Sequence, residues 1–128
     1  MTLLDLATDL QQKAAGPEIF VALDTYYADD VTMVEGTGET FYGKETERGR
    51  IQEFLARVSE MHDGGIGAIA VNETAPGTGV ALVETWSEMT FSDGTRTTLE
   101  QVSVQQWQDG KVVHERFYYN APAVAPRA

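Results

Sequence analysis

Residues 80–119 read VALVETWSEMTFSDGTRTTLEQVSVQQWQDGKVVHERFYY, three segments rich in β-branched and aromatic residues that two Asp-Gly pairs separate. Asp-Gly is a strong signal for a tight hairpin turn, because both residues tolerate the positive φ that such turns require. The run therefore predicts consecutive antiparallel strands, and a further strand is expected before the Pro76-Gly77 turn. The predicted strands cover about 66–74, 80–91, 95–107 and 111–119.

The residues that precede this sheet show helical periodicity instead. Leu3, Leu6 and Leu10 recur along one face after Thr2, which is a good N-cap residue. The predicted helices cover about 3–15, 17–28 and 44–62, with a short strand at 31–35. Helices followed by antiparallel strands predict an α+β fold, in which the helices pack on one face of a curved sheet.

Length and composition restrict the class of protein. The 128 residues suit one domain, expected at 1–120, with a flexible C-terminal tail at 121–128. The 20 acidic and 9 basic residues give a net charge of −11, which argues against binding to nucleic acid or to anionic membranes. The sequence has no cysteine, no apolar run of about 18 residues and no basic signal-peptide segment. These features predict a cytoplasmic protein that binds neither nucleic acid nor membrane.

Alternation along the predicted strands separates two faces, and both mix apolar with polar residues. One face combines large side chains with carboxylates and amides, as a ligand pocket requires. Its members are Trp86, Leu99, Phe117 and Tyr119 with Glu84, Glu88, Gln101, Ser103 and Glu115. The opposite face is expected to carry Val83, Met89, Val102, Val104 and Val112. Because neither face is polar enough to be solvated, we expect helices to cover one face and a second copy of the chain, in a homodimer, to cover the other.

The Asp109-Gly110 turn allows two registers. A two-residue turn and a three-residue turn with a glycine bulge give opposite cross-strand pairings. The bulged version is preferred, because it brings the polar residues of the two strands onto one face. In that version Gln105, Ser103 and Gln101 lie opposite Val113, Glu115 and Phe117.

Short motifs along the chain resemble a known family. Residues 26–35 read YYADDVTMVE, a helix end followed by a strand, and a glycine loop then closes with Gly43-Lys44-Glu45. Residues 107–113 read WQDGKVV, and RFYYN follows at 116–120. In this order the motifs resemble the SnoaL-like polyketide cyclase group of the nuclear transport factor 2-like superfamily, over almost the whole chain. The resemblance implies a cone-shaped, mainly antiparallel sheet wrapped around three helices, a pocket between them and a homodimer formed through the outer sheet face.

The resemblance also suggests site residues. In ketosteroid isomerase, a member of that superfamily, the general base is an aspartate at the end of the first strand, and Glu35 occupies the matching position. The first helix here has no tyrosine to match that enzyme's oxyanion donor. The second donor, a protonated aspartate, corresponds to a position near Ser103, with Gln101 as its neighbour. The resemblance therefore implies a carboxylate base without the oxyanion hole of steroid isomerisation.

Three glutamates are the candidate catalytic residues: Glu35 as a base, and Glu88 or Glu115 as a neutral acid that polarises the substrate. The candidate substrate-binding residues are Trp86, Gln101, Ser103, Phe117 and Tyr119. Together they suggest proton transfer, cyclisation or hydration of a small apolar carbonyl compound. No cofactor and no metal are expected, because the two histidines lack ligand spacing.

Two other functions fit the same residues. One is a non-catalytic homodimer that binds a small molecule in the same pocket. The other is a protein-interaction module, which would need an apolar face beyond the one assigned to the dimer. A matched acid–base pair that converges on one substrate position would distinguish an enzyme from a binder.

Overall fold

A computed structural model describes residues 1–120, and the tail expected at 121–128 lies outside these residues. The helices are α1 (Leu3–Ala14), α2 (Ile19–Tyr26) and α3 (Lys44–Arg57). The strands are β1 (Tyr27–Val34), β2 (Thr40–Tyr42), β3 (Val58–Ala75), β4 (Thr78–Phe91), β5 (Arg96–Gln108) and β6 (Lys111–Tyr119). Within the described chain, every helix is too short or too polar to cross a bilayer.

The strands form one open, curved sheet in the order β2-β1-β6-β5-β4-β3. All neighbouring strands are antiparallel except β1 and β6, which run parallel and pair Met33 with Glu115. The expected α+β fold, with three helices and a mixed curved sheet, is therefore confirmed. This parallel pair places β1, which follows α2, beside β6, the last strand in the described sequence.

Helix α1 contributes residues to the hydrophobic core beneath this sheet. Thr2 and Asp5 form a reciprocal capping box at its start, which satisfies backbone N–H groups that have no partner within the helix. Leu3 and Leu10 are buried and belong to the same apolar cluster as Trp107. The backbone N–H of Leu3 also donates to Glu73 of β3, at 3.0 Å, so the helix start is bonded to the sheet.

Several element boundaries differ from the predicted ones. Strand β1 begins directly after α2, at Tyr27, and α3 ends at Arg57 instead of near His62. The residues after Arg57 have apolar positions that fit a helical period, but they pair with β4, with Val58 opposite Phe91. Tertiary pairing thus outweighs local periodicity here, as it commonly does in strands.

Strand β4 turns its odd-numbered residues inward. Val83 and Met89 are buried, whereas Leu82 and Trp86 are 45% and 39% exposed on the other face. The pairing of β4 with β5 is unbroken and places Val83 opposite Ser103, so these two residues share the inner face.

This orientation corrects the predicted faces of β4. Large side chains were expected to mark the inner face, but β4 turns Val83 and Met89 inward, because its pairing with β5 sets which residues share a face. Val83, Met89 and Val112, expected on an outer dimer face, lie in the interior. Val102 and Val104 do lie on the outer face, in register with Glu84 and Leu82.

The β5–β6 turn also differs in register. Asp109 and Gly110 both have positive φ, 51° and 79°, as a two-residue hairpin turn requires. The pairing then shifts between Gln106 and Trp107, which leaves Val113 as an extra residue. The polar residues of the two strands share a face as predicted, but Gln105 lies opposite Glu115, and not opposite Val113 as the preferred register required.

Candidate functional site

A cavity of about 410 Å³ lies between the helices and the inner face of the sheet. Its volume is within the range of small-molecule sites. Every helix contributes to its wall, and so do five of the strands. Its polar lining residues include Tyr27, Glu35, Glu47, Arg50, Asp63, Gln101, Ser103, Glu115 and Tyr119. Its apolar walls include Leu23, Ile51, Phe54, Leu55, Met61, Ile66, Trp86, Leu99 and Phe117.

Glu115, in the middle of β6, is the most enclosed acid in this wall, with 2% of its surface exposed. Its Oε1 accepts a hydrogen bond from the Tyr27 hydroxyl, and its Oε2 accepts from Ser103 Oγ and from Gln105 Nε2, the last at 3.1 Å. Burial raises the pKa of Glu115 above its usual value, although these hydrogen bonds act in the opposite direction; the charge of Glu35 raises it further.

Tyr27 faces Glu115 across the parallel β1–β6 pair. Burial of its hydroxyl, and next the negative charge of Glu115, raise the pKa of Tyr27 well above its ordinary value of 10.0. The phenol therefore stays protonated across the physiological pH range, and its hydroxyl can both donate and accept hydrogen bonds.

Trp107 sets the orientation of Gln105. The indole N–H of Trp107 can only donate, and it donates to Gln105 Oε1 at 3.0 Å. The amide nitrogen of Gln105 is thereby directed at Glu115. A donor-only side chain thus fixes which end of the amide faces the carboxyl group.

The second acidic centre lies at the end of β1. Glu35 is 6% exposed and is ion-paired with Arg50 of α3. Arg50 also contacts Glu47, with 2.8 Å between Nη1 and Oε1, and its guanidinium lies 3.8 Å from the centre of the Phe41 ring. Glu35 is therefore held by a positioned cation and does not stand alone in an apolar wall.

The backbone around Glu35 is fixed by a turn and by an aromatic contact. The N–H of Glu35 donates to the carbonyl oxygen of Glu39, at 2.8 Å, between β1 and β2. The next residue, Gly36, lies against the ring of Tyr119, and a Cβ at this position would come within 2.7 Å of that ring. Glycine is required for this close approach between the loop and β6.

The structure brings most of the predicted site residues to one cavity. Those that line it are Glu35, Trp86, Gln101, Ser103, Glu115, Phe117 and Tyr119. Trp86 also lines the cavity, although it belongs to the outward-facing side of β4; its indole lies across Gly65, within 2.9 Å of where a Cβ would be. Glu88 is not part of the lining, and its carboxylate instead pairs with Arg96, at 2.8 Å.

Among the charged and phenolic members of the site, Tyr27, Glu47, Arg50 and Asp63 were not predicted. Tyr27 fell within a predicted helix, and apolar periodicity does not select charged residues as buried. The available signal was the spacing of Glu47 and Arg50, an i, i+3 pair on the predicted third helix. In the described part of the chain, no group of three or more acidic or histidine side chains is arranged to hold a metal ion.

Comparisons with known proteins agree with this architecture. A family model for the SnoaL-like domain matches residues 1–119. A structure from Mesorhizobium loti, named as a candidate SnoaL-like polyketide cyclase, is 26% identical, with a TM-score of 0.79 over 93% of this chain and 100% of that chain. No curated protein matches the sequence.

Two more distant structures share the fold. A candidate polyketide cyclase from Pseudomonas putida is 17% identical, with a TM-score of 0.77 over 96% of this chain and 95% of that chain. A candidate isomerase from Bacillus subtilis is 16% identical, with a TM-score of 0.76 over 97% of this chain and 93% of that chain. The match of the family model over almost the whole chain shows that this protein belongs to the SnoaL-like domain family.

Proposed function

We propose that this protein binds a small, largely apolar carbonyl compound in the cavity and transfers a proton on it, with Glu35 as the base. One observation carries the proposal: two acidic centres, Glu35 with Arg50 and Glu115 with Tyr27, reach the same cavity from neighbouring strands. Convergent titratable groups in different environments are the arrangement that acid–base catalysis needs. Polyketide cyclisation and isomerisation, the activities named for structural relatives, both use such proton transfers.

The position of Glu35 suits a base. Arg50 binds one carboxylate oxygen and thereby fixes the orientation of the group at the cavity wall. In the proposed step, Glu35 removes a proton from the carbon next to the substrate carbonyl. The C–H electron pair forms a carbon–carbon double bond, and the carbonyl oxygen takes the negative charge. Return of the proton to the same carbon or to a conjugated one completes exchange or isomerisation.

The Glu115 cluster would stabilise that charged oxygen. A neutral Glu115 has an O–H to donate, so a hydroxyl that otherwise donates to it can accept from it instead. Tyr27 and Ser103 both line the cavity, and either one can then turn its own proton towards the substrate oxygen. The raised pKa of Glu115 favours this neutral form. Donors already positioned for a developing negative charge are a strong source of rate enhancement.

A non-catalytic binder is the second candidate. The observation in its favour is that Glu115 accepts hydrogen bonds from three neighbours, and that its charged form is therefore satisfied without a ligand. In that case the cavity would serve for storage or transport of its ligand, and Glu35 would have a structural role.

The test is deuterium exchange, the simplest reaction that such a base catalyses. NMR would follow loss of the α-proton signals of 2-tetralone in D2O, with and without protein. We expect Glu35→Gln to reduce the catalysed rate at least about 100-fold, the usual contribution of a general base, and to leave tetralone binding within about twofold. Glu39→Gln, which changes an exposed glutamate of the same loop, is the matched control. Binding of tetralone without catalysed exchange would instead support the binder.

A further inference from the structure

The residues that line the cavity differ between its buried side and its opening. Four of the exposed large apolar residues of the described chain also line it: Leu55, Met61, Ile66 and Trp86, which are 42%, 51%, 37% and 39% exposed. They come from α3, β3 and β4. Glu115 and Ser103, by contrast, are 2% and 4% exposed. The cavity therefore has a mainly apolar rim, which also carries the exposed Asp63, and an interior in which these polar groups lie beside Leu10 and Leu23.

The charges of the lining have one predominant sign. Glu35, Glu47, Asp63 and Glu115 are acidic, and Arg50 is the one basic residue that lines the cavity in the described part of the chain. The guanidinium of Arg50 is bonded to two of these carboxylates, Glu35 and Glu47. A ligand with a negatively charged end would lose its hydration and find carboxylates where it needs cations, which is strongly unfavourable in a partly buried site.

We infer that the ligand is an elongated molecule with an uncharged polar end, which enters first, and an apolar chain that reaches the rim. The class includes long-chain ketones and aldehydes and excludes fatty acids and phosphate esters. The inference rests on the proposed function for the location of the site, but it concerns binding and requires no turnover.

Binding by 2-hexanone, 2-octanone and octanoate tests both parts of the inference, with isothermal titration calorimetry near neutral pH. Each added methylene should tighten ketone binding about fourfold, as burial of apolar surface predicts. Octanoate should bind at least about tenfold more weakly than 2-octanone, because its charge meets the acidic interior. Octanoate binding equal to that of the ketone, affinity independent of chain length, or no ketone binding would each overturn the inference.

Two variants test where the apolar chain of the ligand lies in the cavity. Ile66→Ser should weaken 2-octanone several-fold and 2-hexanone much less, because only the longer chain reaches the rim. Val21→Ser, at a 51% exposed position of α2 outside the lining, should leave both affinities unchanged. Equal effects of the two variants would contradict the proposed path of the chain. Ketone binding of this pattern without α-deuterium exchange would support the inference while overturning the proposed enzyme.

Discussion

Glu115 shows how a single buried carboxyl group can link stability to pH. Its pKa is raised in the folded state above the ordinary value of 4.5, so the folded protein holds this proton more tightly than the unfolded chain does. The stabilising effect of protonation is therefore complete below the unfolded pKa. It is lost as the pH rises from about 4.5 through the folded pKa.

Glu115→Gln should remove this dependence. The amide stays neutral, and it can still accept from Ser103 and hydrogen-bond to Tyr27, so the variant should gain stability relative to the natural protein as the pH rises from about 4.5 to about 8. Urea unfolding across this range measures the difference in the free energy of unfolding. We expect the variant's advantage in the free energy of unfolding to grow as the pH rises, because burial of Glu115 penalises its charged form and raises its pKa. A difference that stays constant with pH would show that the carboxyl group has its ordinary pKa.

At the scale of elements, the sequence predicted the helices and hairpins well because their signals are local. The capping residue Thr2, the leucine spacing of α1 and the two Asp-Gly turns each act within a few residues. The faces of β4 were predicted wrongly because they depend on register with β5, and side-chain size alone does not determine register. The extra residue Val113 is likewise set by the neighbouring strand.

The same difference between local signals and tertiary contacts explains which site residues could be predicted from the sequence. Strand parity on β5 and β6, with the resemblance at Glu35, selected six residues that line the cavity: Glu35, Gln101, Ser103, Glu115, Phe117 and Tyr119. Arg50 and Tyr27 were not selected, because their roles arise from tertiary contacts between different elements. Arg50 joins α3 to β1, and Tyr27 joins β1 to β6. Such contacts have no local pattern.

Packing of β6 against the loop after β1 gives a prediction at this scale. Gly36→Ala places a methyl group within 2.7 Å of the Tyr119 ring, and the ring or the loop that carries Glu35 must then move. We expect a loss of about 1–3 kcal/mol in the free energy of unfolding, as for other overpacked sites, together with reduced α-deuterium exchange.

Gly49→Ala is the matched control for that substitution. Gly49 lies within α3, with no atom near enough to contact an added Cβ, and alanine should stabilise the helix by about 0.5–1 kcal/mol. A loss of less than about 0.5 kcal/mol for Gly36→Ala would show that the Tyr119 ring yields easily.

For the whole molecule, we propose a homodimer in which the outer sheet face is covered by a second copy. The apolar residues of this face that do not line the cavity include Leu82, Val102, Val104 and Tyr118. Exposed apolar groups that cluster on one surface favour association. A stable dimer would bury about 800 Å² on each copy.

Sedimentation equilibrium at micromolar concentration tests this proposal. Leu82→Glu places a charge within the apolar face and should give a monomer, while the natural protein sediments as a dimer. Leu4→Glu is the control, since Leu4 of α1 is also 45% exposed but lies away from the sheet. A natural protein that sediments as a monomer would contradict the proposal.

The parallel contact between β1 and β6 has a consequence for synthesis on the ribosome. Glu35 and Glu115 are brought together by this contact, although some eighty residues of chain separate them. A nascent chain that has emerged only as far as β5 carries β1 without one of its two neighbours and leaves Tyr27 without Glu115. The two acidic centres can therefore meet only after β6 has left the exit tunnel, so the site is completed late in biogenesis, after the helices can already form.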